Sequence, residues 1–472
     1  MVNENKQEED VKFEYRFPKI GVEPVMFLYM SAYMMTSVVG EQFFIFKACT
    51  VNLGFPKNIC EHIMDKANQN YNKQVQVEVS KFFQYEGVTS NAIPLVLAFI
   101  LGGWSDRVGR KLPLLLGLFG CLIYYFALFL NNIFELWPLE AILYTACFPS
   151  ALTGMNLSIF MACFAYLADT TPIDQRTLRT TLLEVAYLLP MPIGTALGSY
   201  LYNGPLKISF KGMFLINCAI LSIAILYTLL VIPWRTRDPP KDGDRACTLG
   251  HIVDTLKILL VKRKEGRRMI FILCLIGMAL FTLQRDESRM IQLYTQLKFN
   301  WTVKNYSNFR TFQTASFILG LLVGIPLLQK CFHIRDTVIM MIGATSHISA
   351  RIIFIITEAP EWYYVGAAVA TLGPVVAAVL RSITSKLVPQ SERGKAFALL
   401  SISDTTPPLF SGYVFSQVYI HTINTPFPEA FYLVVVVSQT IVFLIALFIN
   451  AKLHGKNITE AQEYLEERDI QQ

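Results

Sequence analysis

Glu184 stands eight residues after Arg176 and shortly before Pro190 and Pro192, near the head of a long apolar stretch. A carboxylate at that depth is suited to take up and release a proton, and tying two helices through a salt bridge is the other role open to it. Arg381 follows Gly373-Pro374, a break in its own apolar run, by roughly two helical turns. An arginine keeps its proton, so Arg381 is suited to bind a carboxylate or to neutralise Glu184; the plainer alternative is anchoring near the inner membrane face. Arg285 and Arg289 are four apart and share a helix face. They could clamp an anionic substrate, or pair with Asp286 and Glu287 beside them. His347 and Arg351 repeat the spacing: the imidazole is a candidate proton-coupling group or a packing histidine, and the guanidinium a candidate substrate ligand. Glu41 and Gln42 either line an entrance or lie at the interface.

The elements that must position these residues are membrane helices. Of 472 residues 53% are hydrophobic and 16% charged, against roughly 25% charged in an ordinary soluble domain. The charges gather in short clusters between apolar spans of about 20 residues, the length that crosses a bilayer core. Hydropathy predicts twelve spans. Six fall at 24–46, 88–105, 112–130, 141–168, 178–202 and 212–234, and six more at 269–295, 309–329, 336–357, 362–386, 395–420 and 429–452. No alternating ten-residue strands suggest a barrel, so the expected fold class is an all-α membrane protein of two six-helix halves.

The domain reading follows: an inner tail 1–21, a first half 22–234 with an outer loop 47–86, an inner linker 235–268, a second half 269–452 and an inner tail 453–472. The tail before the first span has no cleavable signal pattern. Most of the 41 Lys and Arg fall on one side of this topology, which puts both ends inside. The linker carries ten basic residues and a Pro239-Pro240 break. The sequons Asn300-Trp-Thr302 and Asn305-Tyr-Ser307 then fall in an outer loop, as glycosylation requires. Cys49 and Cys60 share a polar outer stretch and could pair there.

Net charge is +6, but its distribution follows membrane topology, and no nucleic-acid partner is expected. There is no HExxH, CxxC or Walker pattern, and no metal, cofactor or enzymatic constellation is expected. Between the second and third spans lies Gly102-Gly-Trp-Ser-Asp106-Arg107-Val-Gly109-Arg110-Lys111. Its glycines let helix ends approach, its aspartate can face a helix amino terminus, and its basic residues can hold other inner ends.

That loop is similar to the major facilitator signature G-x-x-x-D-R-x-G-R-[RK], in which these residues act as an inner latch. WSDRVGRKLPLL, Ala168-Asp169 followed by RTLRTTLLE ending at Glu184, and VLRSITSKLV around Arg381 together resemble solute carrier family 46, the proton-coupled folate transporter family, over about 22–452. The resemblance implies symport of organic anions with protons. Asp106 matches the latch aspartate, Glu184 the proton-coupling glutamate and Arg381 the arginine near substrate. Gln284 falls where the folate carriers have a seventh-helix histidine, and the loop after that helix lacks the cysteine of the family disulfide. The resemblance therefore supports the family without supporting folate.

The expectation is a secondary carrier for a small organic anion, working by alternating access with protons as partner. Its station would be the plasma membrane or, alternatively, a lysosomal or endosomal membrane. A facilitative uniporter and a non-transporting receptor or scaffold are the rival readings. Oligomeric state is left open.

Overall fold

The structure, a computed structural model, describes residues 21–171, 176–234, 259, 266–388 and 393–453. The tails and most of the linker expected at 235–268 fall outside these residues, as do the side chains of 98–108. Among the described residues all regular structure is helical. Nine helices are long and apolar enough to cross a membrane: α3 (Lys111–Ile133), α4 (Leu143–Leu167), α5 (Leu182–Asn203), α6 (Phe210–Val231), α7 (Arg267–Phe299), α8 (Val303–Gln329), α9 (Asp336–Ile356), α10 (Glu361–Thr384) and α12 (Pro428–Lys452).

The other three expected spans coincide with helices that are interrupted or unusually long. α1 covers 23–52 and breaks at Thr36, where the hydroxyl donates to Ala32 O and accepts from Asn217 Nδ2. α11 covers 393–422 and breaks before Pro408. α2 (Gln69–Val108) runs for 40 residues, so much of the expected outer loop 47–86 is helix. One polar face of its outer turns is withdrawn from water: Gln76 and Glu86 are buried against other helices, while Gln74 and Lys81 stay exposed.

Local sequence explains the joints. Ser209 and Thr302 cap α6 and α8 by accepting from Gly212 N and Asn305 N, satisfying donors that helix starts leave free. A 3-10 turn at Leu283–Asp286 divides α7 at its charged knot, and another at Ala370–Leu372 precedes Gly373-Pro374 in α10. Close helix approach uses small residues: a side chain at Gly198 would strike the Met35 carbonyl of α1, and one at Gly320 the Thr371 carbonyl of α10.

Within the halves, α3 packs along α6 and α9 along α12; between them, α2 meets α11 and α5 meets α8. One apolar core fills the first half and continues through Met290, Tyr294, Tyr419 and Phe431 of the second. A separate core occupies the opposite end of the second half, around Phe271, Val379 and Ile445. Cys49 and Cys60 form a disulfide at the end where the shared core lies. A disulfide belongs to an oxidising side, and this is the end at which the sequence reading expects the outer loop 47–86, the outer end of that topology.

Candidate substrate passage and its charged groups

Two rings of charge lie between the halves at different depths. The outer ring closes the passage. Arg289 of α7 forms an ion pair with Glu86 of α2 and stacks its guanidinium 4.9 Å from the Phe83 ring centroid. Further bonds cross beside it: Gln76 Nε2 donates to Leu293 O at 2.8 Å, Tyr419 Oη to Gln76 Oε1 at 2.6 Å, and Gln417 Nε2 to Gln84 Oε1 at 3.1 Å. Gln292 Nε2 donates to Val38 O at 3.3 Å, and Gln296 Nε2 to Gln42 Oε1 at 3.2 Å. Among the described residues, every one of these bonds between halves lies toward the disulfide end. The molecule is in an outward-closed state.

A chamber of about 210 Å³ sits against this seal, lined by both halves. Its charged lining is Glu41, Glu86, Asp286, Arg289 and Arg310. Asp286 accepts from Ser411 Oγ, and Arg310 Nη1 donates to Gln313 Oε1 at 2.9 Å.

The middle ring is differently made. Asp404 of α11 accepts from Arg285 Nη2 and Thr282 Oγ1 of α7, at 2.8 and 2.7 Å, through one oxygen. Arg381 Nη2 of α10 lies 3.6 Å from the other. The arginine side chains are 52% and 51% exposed and Asp404 16%, so two accessible cations share one carboxylate. Tyr187 of α5, a first-half side chain, lies within electrostatic reach of all three groups.

Sequence reasoning named both arginines; it missed Asp404, a charge inside an expected span. Glu184 is exposed on α5, two turns past the helix start at Arg176. Arg289 lies in the outer ring, one turn beyond Arg285 and apart from Arg381's carboxylate partner. His347 and Arg351 belong to a stack within the second half. Arg351 grips Glu287 with two bonds, at 3.2 and 2.6 Å, and the pair is 4% and 2% exposed. Arg351 Nη1 also meets His347 Nδ1 at 2.9 Å, and His347 Nε2 lies 3.3 Å from the Gln284 amide. A guanidinium only donates, so Nδ1 accepts and the neutral ring carries its proton on Nε2, which calls for the carbonyl oxygen of the Gln284 amide, otherwise unpartnered, in place of its NH2. Glu287 thus occupies Arg351 in this state.

At the inner side, Gly109 adopts φ +104, a left-handed backbone that favours glycine. Arg110 Nε donates to Asp169 Oδ2 at 2.8 Å. Lys111 is buried, donating to Leu229 O at 2.7 Å with its ammonium 4.5 Å from the Trp234 ring. The side chains of Gly102, Asp106 and Arg107 lie outside the described residues. Arg179, in the helical turns from Arg176 that lead into α5, pairs with Glu23 of α1 at 2.8 Å, a contact that sequence reasoning did not anticipate. Asn300 is half-buried at the end of α7, in a left-handed conformation, and Asn305 is exposed in the first turn of α8. No group of three or more metal-ligating side chains occurs among the described residues.

Two helical halves with charged groups along their interface make this a multi-pass membrane transporter. A family model described as Major Facilitator Superfamily matches residues 82–373, and the chain belongs to that superfamily. Its curated relatives include members of solute carrier family 46. The "Probable peptidoglycan muropeptide transporter SLC46" of Drosophila melanogaster is 23% identical over 86% of this chain and 80% of its own. The proton-coupled folate transporter of Rattus norvegicus is 26% identical over 85% of this chain and 86% of its own. Among solved structures, the nucleoside transporter NupG superposes with a TM-score of 0.61 at 14% identity, covering 91% of this chain and 98% of that one. That similarity speaks for the fold alone.

Proposed function

We propose that this transporter is a secondary carrier for a small organic anion, driven by protons. The observation that carries the reading is the middle ring: Arg285 and Arg381 converge on a single carboxylate and remain half-exposed. A substrate carboxylate arriving there meets two guanidinium groups and one competitor, Asp404, and charge-assisted bonds to arginine are the strong, directional kind. Tyr187 stands within electrostatic reach of that site, and Gln284, next to Arg285 in sequence, is the proposed neighbour on the His347 side. Glu184 is the proton-coupling group of the first half; His347 is the imidazole of the second, and it can take a proton only when Arg351 Nη1 leaves its Nδ1. Gly102, Asp106, Arg107, Gly109, Arg110 and Lys111 form the inner latch, and Asn300 and Asn305 are the glycan acceptors.

The names of the relatives support an anionic cargo: one is a muropeptide transporter and the other a proton-coupled folate transporter. The plasma membrane is the proposed station, a lysosomal or endosomal membrane the alternative.

The test is uptake of labelled muropeptide and labelled folate into proteoliposomes, with an imposed inward proton gradient or none. The expected result is concentration of at least one anion under the gradient, abolished in Glu184→Gln. Uptake that is indifferent to the gradient and unchanged in Glu184→Gln overturns proton coupling, and absence of flux for any organic anion overturns the carrier reading.

A further inference from the structure

The outer ring holds an unequal count of charge. Three carboxylates, Glu41, Glu86 and Asp286, face two guanidinium groups, Arg289 and Arg310. Glu86 is taken by Arg289 and Asp286 by Ser411. Glu41 is left over: its Oε2 is buried with no hydrogen-bond partner among the described residues. Gln292, 1% exposed on the same chamber, likewise leaves its Oε1 unpartnered. An enclosed acceptor atom bonded to no donor calls for a hydrogen, and Glu41, half-buried as a residue, is disfavoured as an anion through that enclosed oxygen.

Among the described residues no cation of the chamber forms an ion pair with Glu41. Tyr33 comes from α1 itself, Tyr124 and Tyr125 from α3, and Tyr306 from α8. Arg289 is committed to Glu86, and Arg310 turns its Nη1 to the neutral Gln313 and not to Glu41. A single proton on Glu41 brings the ring to zero net charge and supplies the missing donor.

We propose that Glu41 is a proton-binding group of the outer gate, distinct from Glu184: it takes a proton from the outer medium and can be buried in the closed seal only in that neutral form. This deepens the proton-driven reading above and rests on it. Outer acid then favours closure over the loaded carrier, and an ionised Glu41 holds the passage open to water. The proton is released when the passage next opens to a less acidic medium.

The test needs no substrate. Ser37 lines the chamber, so Ser37→Cys should react with a membrane-impermeant maleimide added outside only while the outer passage is open; the same chain without this cysteine gives the background. Labelling should rise several-fold as outer pH is raised from acid to neutral. In Glu41→Gln, which imitates the protonated acid, labelling should stay low at both pH values. An unaltered rise with pH in Glu41→Gln overturns the proposal. Should that variant fail to reach the membrane, Glu41→Asp decides: a shorter carboxylate in a changed position must shift the midpoint, and an unmoved midpoint overturns the proposal equally. Proton-driven uptake through Glu184 can survive a negative result here, and Glu41 can titrate the gate even if uptake proves uncoupled, so the two failures are distinguishable.

Discussion

The outer and middle rings use similar residues to opposite ends. In the outer ring Arg289 has a carboxylate of its own, an aromatic ring against its face and 27% side-chain exposure. In the middle ring two arginines, each about half-exposed, divide one aspartate. A seal works when its charges are matched before water is expelled, because a desolvated charge without a partner is penalised heavily. A binding site works when its charges are left partly unmatched and wet, so that a ligand can supply what is missing. The same chemistry closes one level of the passage and holds the other ready.

The most severe way to break this contrast is to unmatch the seal. Glu86→Ala removes the carboxylate that bonds Arg289 across the interface, a loss of up to about 3–5 kcal/mol for a broken buried pair. The closed state should give way, with Ser37→Cys labelling from outside high at every pH; labelling that stays low would mean the ion pair is not what holds the gate. Next in size is the middle ring. Arg285→Ala or Arg381→Ala removes one charge-assisted partner, worth about 1.5–3 kcal/mol, so KM for the transported anion should rise about ten- to a hundredfold while outside labelling is little changed. Smallest is the outer surface pair Lys57–Glu135, 3.1 Å apart with side chains 68% and 64% exposed. Lys57→Ala should leave both uptake and the unfolding temperature within error, since exposed ion pairs contribute little.

Apolar length and charge placement made much of the fold legible before any coordinates: nine of the expected spans are helices of membrane length, and the break at Gly373-Pro374 is present. The start of α2 was not legible. Gln76, Gln84 and Glu86 look like solvated loop residues because hydropathy scores composition. It cannot see that α7 and α11 bring matching donors and acceptors to those side chains. Arg285 and Arg381 could be picked out as charges in apolar stretches, and the same rule applied to Asp404 in 395–420 would have found their shared partner. The two-pronged grip of Glu287 on Arg351 had no comparable signal. Helical spacing placed Arg351 beside His347 and said nothing of which residue on α7 would face it.

The length of α2 sets an order for opening. Pro94 lies inside the helix, and proline is where helices bend. At 1.5 Å per residue, Glu86 stands about 12 Å and Gln76 about 27 Å beyond that point. A tilt of ~10° there carries Glu86 about 2 Å and Gln76 about 5 Å. The first displacement an ion pair can follow; the second parts Gln76 from Leu293 and Tyr419. The passage would therefore peel from its rim inward, with Arg289 and Glu86 the last to separate.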